Sequence, residues 1–285
     1  MAVRAWLTTT ISRDSDLTPL DRLIPQIPRT SAPGACIILT CVGVFSFAGL
    51  SQSGFFGVQS WALLTLSFLV LLAAMTASAA ALHVAIFCIL VVLSYRTPGM
   101  GMHPFPLVGA LAGYALVVLA TPRLRETMFW LHTGSLEAGV RRLVIFAAAS
   151  SAVSLPVWYL LVGPEVRQIV AAFDDLPMWA LLPVGAIFAL VNAGAEEAAF
   201  RGVVMDALVS AVGVMGAVLI QAMAFGLVHY PHGLPNGTWG ALLSGVYGLI
   251  LGLIRLRAGG MLAPWIAHVA TDLTIFLLLL LWAVG

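Results

Sequence analysis

Three short motifs in the last third of the chain carry acidic and basic side chains inside strongly apolar sequence. They are Glu196-Glu197-x-x-x-Arg201, Phe225-x-x-x-His229 and His268-x-x-x-Asp272. Carboxylates and imidazoles transfer protons near neutral pH, so this set of side chains could activate a water molecule for hydrolysis. A charged side chain at the centre of a bilayer costs roughly 2.5–3.5 kcal/mol, and such groups normally face one another or a wet cavity. We therefore predict that the three motifs meet in one functional site.

The first motif combines a paired carboxylate with an unpaired one. Residues four apart on a helix lie about 40° apart around its axis, so Glu197 and Arg201 share a face and can form an ion pair. Glu196 points roughly 140° away from Arg201 and has no partner nearby in the sequence. A carboxylate without such a partner is a candidate general base. The alternative is that these residues only hold helices together, as buried polar groups in membranes do.

The second motif ends an apolar stretch, because His229 is followed by YPHGLPNG, whose prolines and glycines turn the chain. A lone histidine at a helix end is often an interfacial residue, so its depth decides the interpretation. If the hairpin turns between Ser210 and Gly213, Glu196 lies about 21 Å before the turn and His229 about 24 Å after it. Antiparallel neighbours of these lengths bring the two side chains to a similar depth.

In the third motif, His268 and Asp272 lie four apart and face the same way. A hydrogen bond that only joins two helices is the structural alternative for this pair. Between the second and third motifs, small residues recur at every fourth position, namely Gly240, Ser244, Gly248 and Gly252. Such a stripe predicts that a neighbouring helix approaches closely.

The elements that must position these motifs are transmembrane helices. Hydrophobic residues make up 61% of the 285-residue chain and charged residues 9%, with a mean hydropathy of +1.04, which predicts an all-α polytopic membrane bundle. A span needs about 20 apolar residues, and eight or nine spans are predicted. Their ranges are 34–51, 57–76, 79–96, 103–121, 142–163, 178–209, 213–230, 238–254 and 261–284.

The segments between and before the spans differ in composition. Residues 1–33 are predicted to form a cytoplasmic or interfacial tail, and 122–142 and 164–177 to form helices in the membrane interface. Residues 34–174 hold membrane helices without a motif, and 175–284 hold the motifs within the same membrane domain. Cys36, Cys41 and Cys88 lie in apolar runs without metal-site spacing and predict neither a disulfide scaffold nor a zinc site.

Charge gives the orientation and excludes one class of partner. Arginines cluster before the first predicted span, after the fourth and after the eighth. All three clusters fall on one side when nine spans are counted, and the positive-inside rule makes that side cytoplasmic. We therefore predict an integral protein of the bacterial inner (plasma) membrane with a cytoplasmic N-terminus. A net charge of +1 argues against a nucleic-acid partner.

Taken in order, the three motifs resemble those of the CPBP family of glutamic-type intramembrane proteases, which comprises the type II CAAX prenyl proteases and the bacteriocin-processing enzymes. The resemblance covers about residues 175–284. It implies an endopeptidase without metal or cofactor that acts on a membrane-associated peptide or protein. It also implies that Glu196 and His229 activate water and that His268, with Asp272, stabilises the oxyanion. Glu197, Arg201 and Phe225 would support these groups.

One position departs from the commoner family pattern, which ends in Asn where this chain has Asp272. An amide can donate a hydrogen bond to an oxyanion, whereas an ionised carboxylate only accepts. Either Asp272 is protonated, or it orients His268 as an acid orients the imidazole of other hydrolases. The second role is the favoured hypothesis.

Three other functions are compatible with parts of the pattern. A rhomboid-like serine protease could pair Ser244 with His268, although Leu242 stands where such enzymes need glycine. A metalloprotease could use Glu196, His229, His232 and His268 as ligands, but no HExxH helix is present. A non-enzymatic scaffold or immunity-type protein, or a proton-linked transporter, could use the same buried carboxylates and histidines.

Overall fold

The structure, a computed structural model, describes residues 27–48, 58–98, 103–164, 166–171, 176–231 and 233–284. These residues form helices and irregular connections, without strands. In chain order the helices are α1 (Ala32–Ala48), α2 (Val58–Met75), α3 (Ala79–Arg96), α4 (Phe105–Ala120), α5 (Pro122–Glu126), α6 (Ala138–Val162), α7 (Arg167–Ala171), α8 (Met178–Glu197), a π-helical segment (Ala198–Val204), α9 (Met205–Val212), α10 (Val214–Val228), α11 (Gly237–Ala258) and α12 (Leu262–Val284). The all-α class is confirmed.

Each of the nine predicted spans corresponds to a helix in the described part of the chain. Five helical stretches there are long and apolar enough to cross a membrane, and four shorter apolar helices accompany them. The apolar side chains that face outwards, such as Trp61, Leu160 and Leu161, suit contact with lipid tails. The protein is therefore an integral membrane protein. Residues 1–26 of the predicted tail lie outside the described residues.

The predicted interfacial helices are mostly wrong. The described helical residues of these two segments belong to the short helices α5 and α7 and to the start of α6 at Ala138, and residues 172–175 lie outside the described residues. Residues 127–137 instead run beside the turn between α11 and α12. There Ser135 donates its backbone N–H to Ala258 (2.8 Å), and Met261 donates to His132 (2.8 Å). This close backbone pairing satisfies the polar groups of the segment without a helix.

The predicted continuous helix over 178–209 is interrupted. Its middle, Ala198–Val204, is a π-helix, and the chain returns to α-helix at Met205. Gly202 in this segment lies under the indole of Trp130, where an added Cβ would come within 2.7 Å of Cδ2. The sequence gives no sign of this segment, because its residues are as apolar as those of the α-helices on either side. The turn at Gly213 falls where the sequence predicts it.

The π-helical segment packs against the N-terminal helices, so the motif region is not a separate body. Phe200 lies 5.7 Å (ring centroids) from Phe45 of α1, and Phe45 lies 6.2 Å from Phe87 of α3. On its other side Phe200 meets Phe225 of α10 edge-on at 5.0 Å. A continuous row of aromatic rings therefore connects α1 and α3 to the motif helices.

Helices α10 and α11 pack closely along the stripe of small residues. Gly248 lies against Phe225 and Ala222, and Gly226 of α10 lies against Gly245. An added Cβ on Gly226 would come 3.0 Å from the Cα atom of Gly245. The close approach predicted from the stripe is confirmed, and it fixes the position of α10, which ends at the second motif.

We predict that Gly226→Ala destabilises the protein by about 1–3 kcal/mol, because the methyl group overpacks the contact between α10 and α11. The midpoint of thermal unfolding in detergent, followed by circular dichroism, measures the change. Gly43→Ala is the matched control, since a methyl group on Gly43 meets no atom within 4 Å and alanine favours a helix over glycine. Equal midpoints for the two variants would contradict the close packing.

Candidate active site

The carboxylate of Glu197 and the guanidinium of Arg201 form the innermost part of the site. Arg201 Nη1 donates to Glu197 Oε1 at 2.9 Å, and both side chains are almost completely buried. Arg201 also donates through Nη2 to the carbonyl of Gly248 (3.3 Å) and lies 4.4 Å above the centroid of the Phe225 ring. The ion pair predicted from the first motif is confirmed, and it joins α8 and the π-helical segment to α10 and α11.

His268 of α12 extends this pair. Its Nδ1 lies 2.7 Å from Glu197 Oε1, so Nδ1–H donates to the same oxygen that accepts from Arg201. Its Nε2 lies 3.5 Å from Glu196 Oε2 and 3.7 Å from Asp272 Oδ1. The imidazole therefore lies among three carboxylates, with one hydrogen bond that fixes the orientation of its ring.

Glu196 is buried at the end of α8 and has partners only from distant parts of the chain. Besides His268, its Oε1 lies 3.1 Å from Nε2 of His103, which precedes α4. It also interacts electrostatically with His229. The absence of a partner nearby in the sequence is confirmed. Tertiary structure supplies imidazoles on several sides of this carboxylate instead.

His229 ends α10, and its tautomer follows from its hydrogen bond. Nδ1 lies 2.8 Å from the carbonyl oxygen of Phe225, which can only accept, so Nδ1 carries a proton. In the neutral ring Nε2 is then the free base. Gly233 has a φ of +109° and lies against the imidazole, where an added Cβ would come 2.9 Å from Cδ2. The turn after His229 therefore needs glycine at this position both for its backbone and for space.

The ring of Phe225 lies between His229, His268 and Arg201. Its ring centroid lies 4.5 Å from that of His229 and 5.9 Å from that of His268, the latter edge-on. Arg201 covers its face. An aromatic ring at this place fixes the spacing of two imidazoles without offering a proton.

Asp272 lies further from His268 than a hydrogen bond allows. Its Oδ2 accepts from Nδ2 of Asn192, a buried residue of α8, at 3.0 Å. The hydrogen bond that orients His268 comes from Glu197, whereas the sequence hypothesis gave this role to Asp272. Contact between Asp272 and the imidazole is electrostatic, at 3.7 Å.

The structure thus brings the seven motif residues together and adds groups that sequence reasoning missed. Asn192 lies one helical turn before Glu196. An amide side chain within an apolar span was the sequence feature that could have identified it as part of the site. His103 lies in the sequence HPFP at the start of a span, where nothing indicated a link to a residue 93 positions away.

Two other polar residues of the predicted spans lie elsewhere. His83 bonds to the hydroxyl of Tyr114 (2.6 Å) and to the carbonyl of Leu124 (3.1 Å). Asp206 lies 3.9 Å from Arg255. His83 and Asp206 line a separate cavity of about 360 Å³ between the N-terminal helices and α9. His232 lies outside the described residues, so the structure does not test the alternative ligand set that includes it.

Fold and site together define a polytopic helical membrane protein in which carboxylates and imidazoles from several helices share one buried site. Residues 178–274, about a third of the chain, match the family model described as type II CAAX prenyl endopeptidase Rce1-like. This part of the chain is thus similar to an Rce1-like domain, and the resemblance to the CPBP family is confirmed. The match supports a CAAX-type membrane protease, a hydrolase. No curated protein and no solved structure matches the chain significantly.

We predict that Arg201→Gln destabilises the protein by about 3–5 kcal/mol, because it leaves the carboxylate of Glu197 buried without its cation. The thermal midpoint and the yield of folded protein in detergent measure the loss. Arg257→Gln is the matched control, since Arg257 pairs with Glu137 at 3.4 Å with both side chains at least half exposed. That variant should lose no more than about 1 kcal/mol. Similar losses in both variants would contradict the structural role of the buried pair.

Proposed function

We propose that this protein is a glutamic-type, metal-independent intramembrane endopeptidase that hydrolyses a peptide bond of a membrane-inserted or membrane-proximal substrate. The observation that supports this proposal is the convergence of Glu196, His229 and His268 from α8, α10 and α12 on one buried site. Each group comes from a different helix; Glu196 and His268 are buried, and His229 is half-buried.

In this mechanism, Glu196 and Nε2 of His229 together take up the proton of a water molecule as its oxygen attacks the carbonyl carbon. The carbonyl oxygen becomes an oxyanion when the C=O double bond opens. Collapse of the tetrahedral intermediate breaks the C–N bond, and the leaving amine receives the proton that the base took. Glu196 is suited to this task because its carboxylate lies among imidazoles, whereas that of Glu197 is paired with Arg201.

His268 is proposed to stabilise the oxyanion. Its Nδ1–H is committed to Glu197, so Nε2 can donate only when the ring is an imidazolium. Three neighbouring carboxylates stabilise this cation electrostatically, at 2.7, 3.5 and 3.7 Å. In this scheme Asp272 contributes charge, and Asn192 keeps its carboxylate in place. Glu197 provides the orienting hydrogen bond.

The location and partners follow from the same scheme. We propose a bacterial inner-membrane enzyme whose N-terminus lies in the cytoplasm, in accordance with the arginine clusters and the positive-inside rule. Its partner is a membrane-associated peptide or protein. Hydrolysis within lipid requires water, and the buried polar groups would line the space that admits it.

We predict that Glu196→Gln abolishes cleavage and leaves the protein inserted and folded, because the amide keeps the shape of the carboxylate but cannot take a proton. Glu137→Gln, at a half-exposed carboxylate outside the site, is the matched control and should cleave normally. Comparison of membrane proteomes from cells with the native protein, Glu196→Gln and Glu137→Gln identifies the substrate by its change in length.

Full cleavage by Glu196→Gln would exclude the general-base role. Loss of cleavage on treatment with a chelator would favour the metalloprotease, and loss in Ser244→Ala the serine protease. If no membrane protein changes length in any strain, a scaffold or a proton-linked transporter becomes the better explanation of the buried cluster.

We predict that His268→Ala lowers kcat by roughly 10²–10³, the loss typical when one oxyanion donor is removed. The measurement is cleavage of the identified substrate by purified protein in lipid. His132→Ala, in the irregular segment between α5 and α6, controls for the removal of an imidazole elsewhere. Unchanged kinetics in His268→Ala would assign His268 to packing alone.

A further inference from the structure

His103 contacts the proposed general base but belongs to a part of the chain outside the family match. It lies just before α4, and its side chain is 38% exposed, whereas that of Glu196 is 8% exposed. The two side chains meet at 3.1 Å between Nε2 and Oε1. One side of the carboxylate is therefore closed by a residue that neither the three motifs nor residues 178–274 contain.

The protonation pattern of this contact follows from a second hydrogen bond. The hydroxyl of Tyr95, near the end of α3, lies 3.1 Å from Nδ1 of His103. When the phenol donates to Nδ1, the neutral ring carries its proton on Nε2 and donates it to Glu196. In this arrangement Tyr95 donates to His103, and His103 donates to the carboxylate of Glu196.

This contact holds the Glu196 carboxylate through one oxygen and leaves the other near His268. His103 holds Oε1, and Nε2 of His268 lies 3.5 Å from Oε2. A carboxylate has about four lone-pair sites, so each oxygen can still accept from water. Rotation of the carboxylate about its last bond is then restricted, and a reacting group held in a fixed direction needs less reorganisation during the reaction.

We infer that His103, itself held by Tyr95, is a positioning residue that orients the carboxylate of Glu196 for attack by water, so that helices α3 and α4 complete the active site. This inference rests on the proposed function, because it gives Glu196 the role of general base. His103 acts through Glu196 and touches neither the water nor the peptide. Its loss therefore changes the rate of the chemical step and not the binding of substrate.

The test compares three variants with the native protein in lipid. His103→Leu removes the donor, and kcat should fall roughly 10–100-fold with KM unchanged, since small misplacement of a catalytic group costs up to about 10²-fold. His103→Gln retains an N–H near the position of Nε2 and should recover most of this loss. Tyr95→Phe removes only the phenol and should give a smaller loss than His103→Leu.

A readout without substrate accompanies the kinetics. In protein labelled with ¹⁵N-histidine, the ring signals of His103 are assigned by their absence from His103→Gln. Glu196→Gln should shift these signals, because it replaces the charged acceptor of Nε2–H. Glu137→Gln should leave them unchanged, and His132→Leu should leave kcat at the native value.

The outcomes separate the inference from the function on which it rests. Native kcat in His103→Leu, when Glu196→Gln is inactive, overturns the inference alone. An equal loss of kcat in His103→Leu and His103→Gln also overturns it, because that result indicates a steric role. The same holds if the ring signals of His103 do not shift in Glu196→Gln. Full activity of Glu196→Gln instead overturns the proposed function, and the inference with it.

Discussion

Neutralisation of a guanidinium inside an apolar helix bundle is the constraint on which the site depends. Arg201 is completely buried, and a buried charge is tolerated only with a well-placed partner and further hydrogen bonds. Glu197, the carbonyl of Gly248 and the face of Phe225 bind the guanidinium, and only its Nε is left without a hydrogen-bond partner among the described residues. Since these groups come from α8, α11 and α10, satisfying one side chain fixes the relative positions of three helices.

The same ion pair gives the two adjacent carboxylates different environments. Glu197 accepts from both Arg201 and His268, so its oxygen is committed to structure. Glu196 stands outside this ion pair: it hydrogen-bonds to His103 and lies 3.5 Å from His268, and imidazoles can gain or lose a proton. Neighbouring carboxylates in different environments are suited to different tasks. This contrast, and not the mere presence of two acids, is what supports the proposal of a proton-transferring site.

The N-terminal helices contribute more to the site than their lack of motifs indicates. Phe45 and Phe87 support the π-helical segment through Phe200, and His103 reaches Glu196 directly. The Rce1-like match ends at residue 178 on the N-terminal side, yet the environment of the central carboxylate extends beyond it. Helices outside the motif region therefore help to determine the surroundings of this carboxylate.

Local pattern and tertiary contact determined different features of this protein. Apolar run length predicted the helices, and spacing four predicted the Glu197–Arg201 pair and the small-residue stripe, because both depend only on helix geometry. The π-helical segment, the irregular course of residues 127–137 and the contacts of His103 and Asn192 required the folded chain. These features depend on backbone pairing and on contacts between residues far apart in sequence, which no local periodicity records.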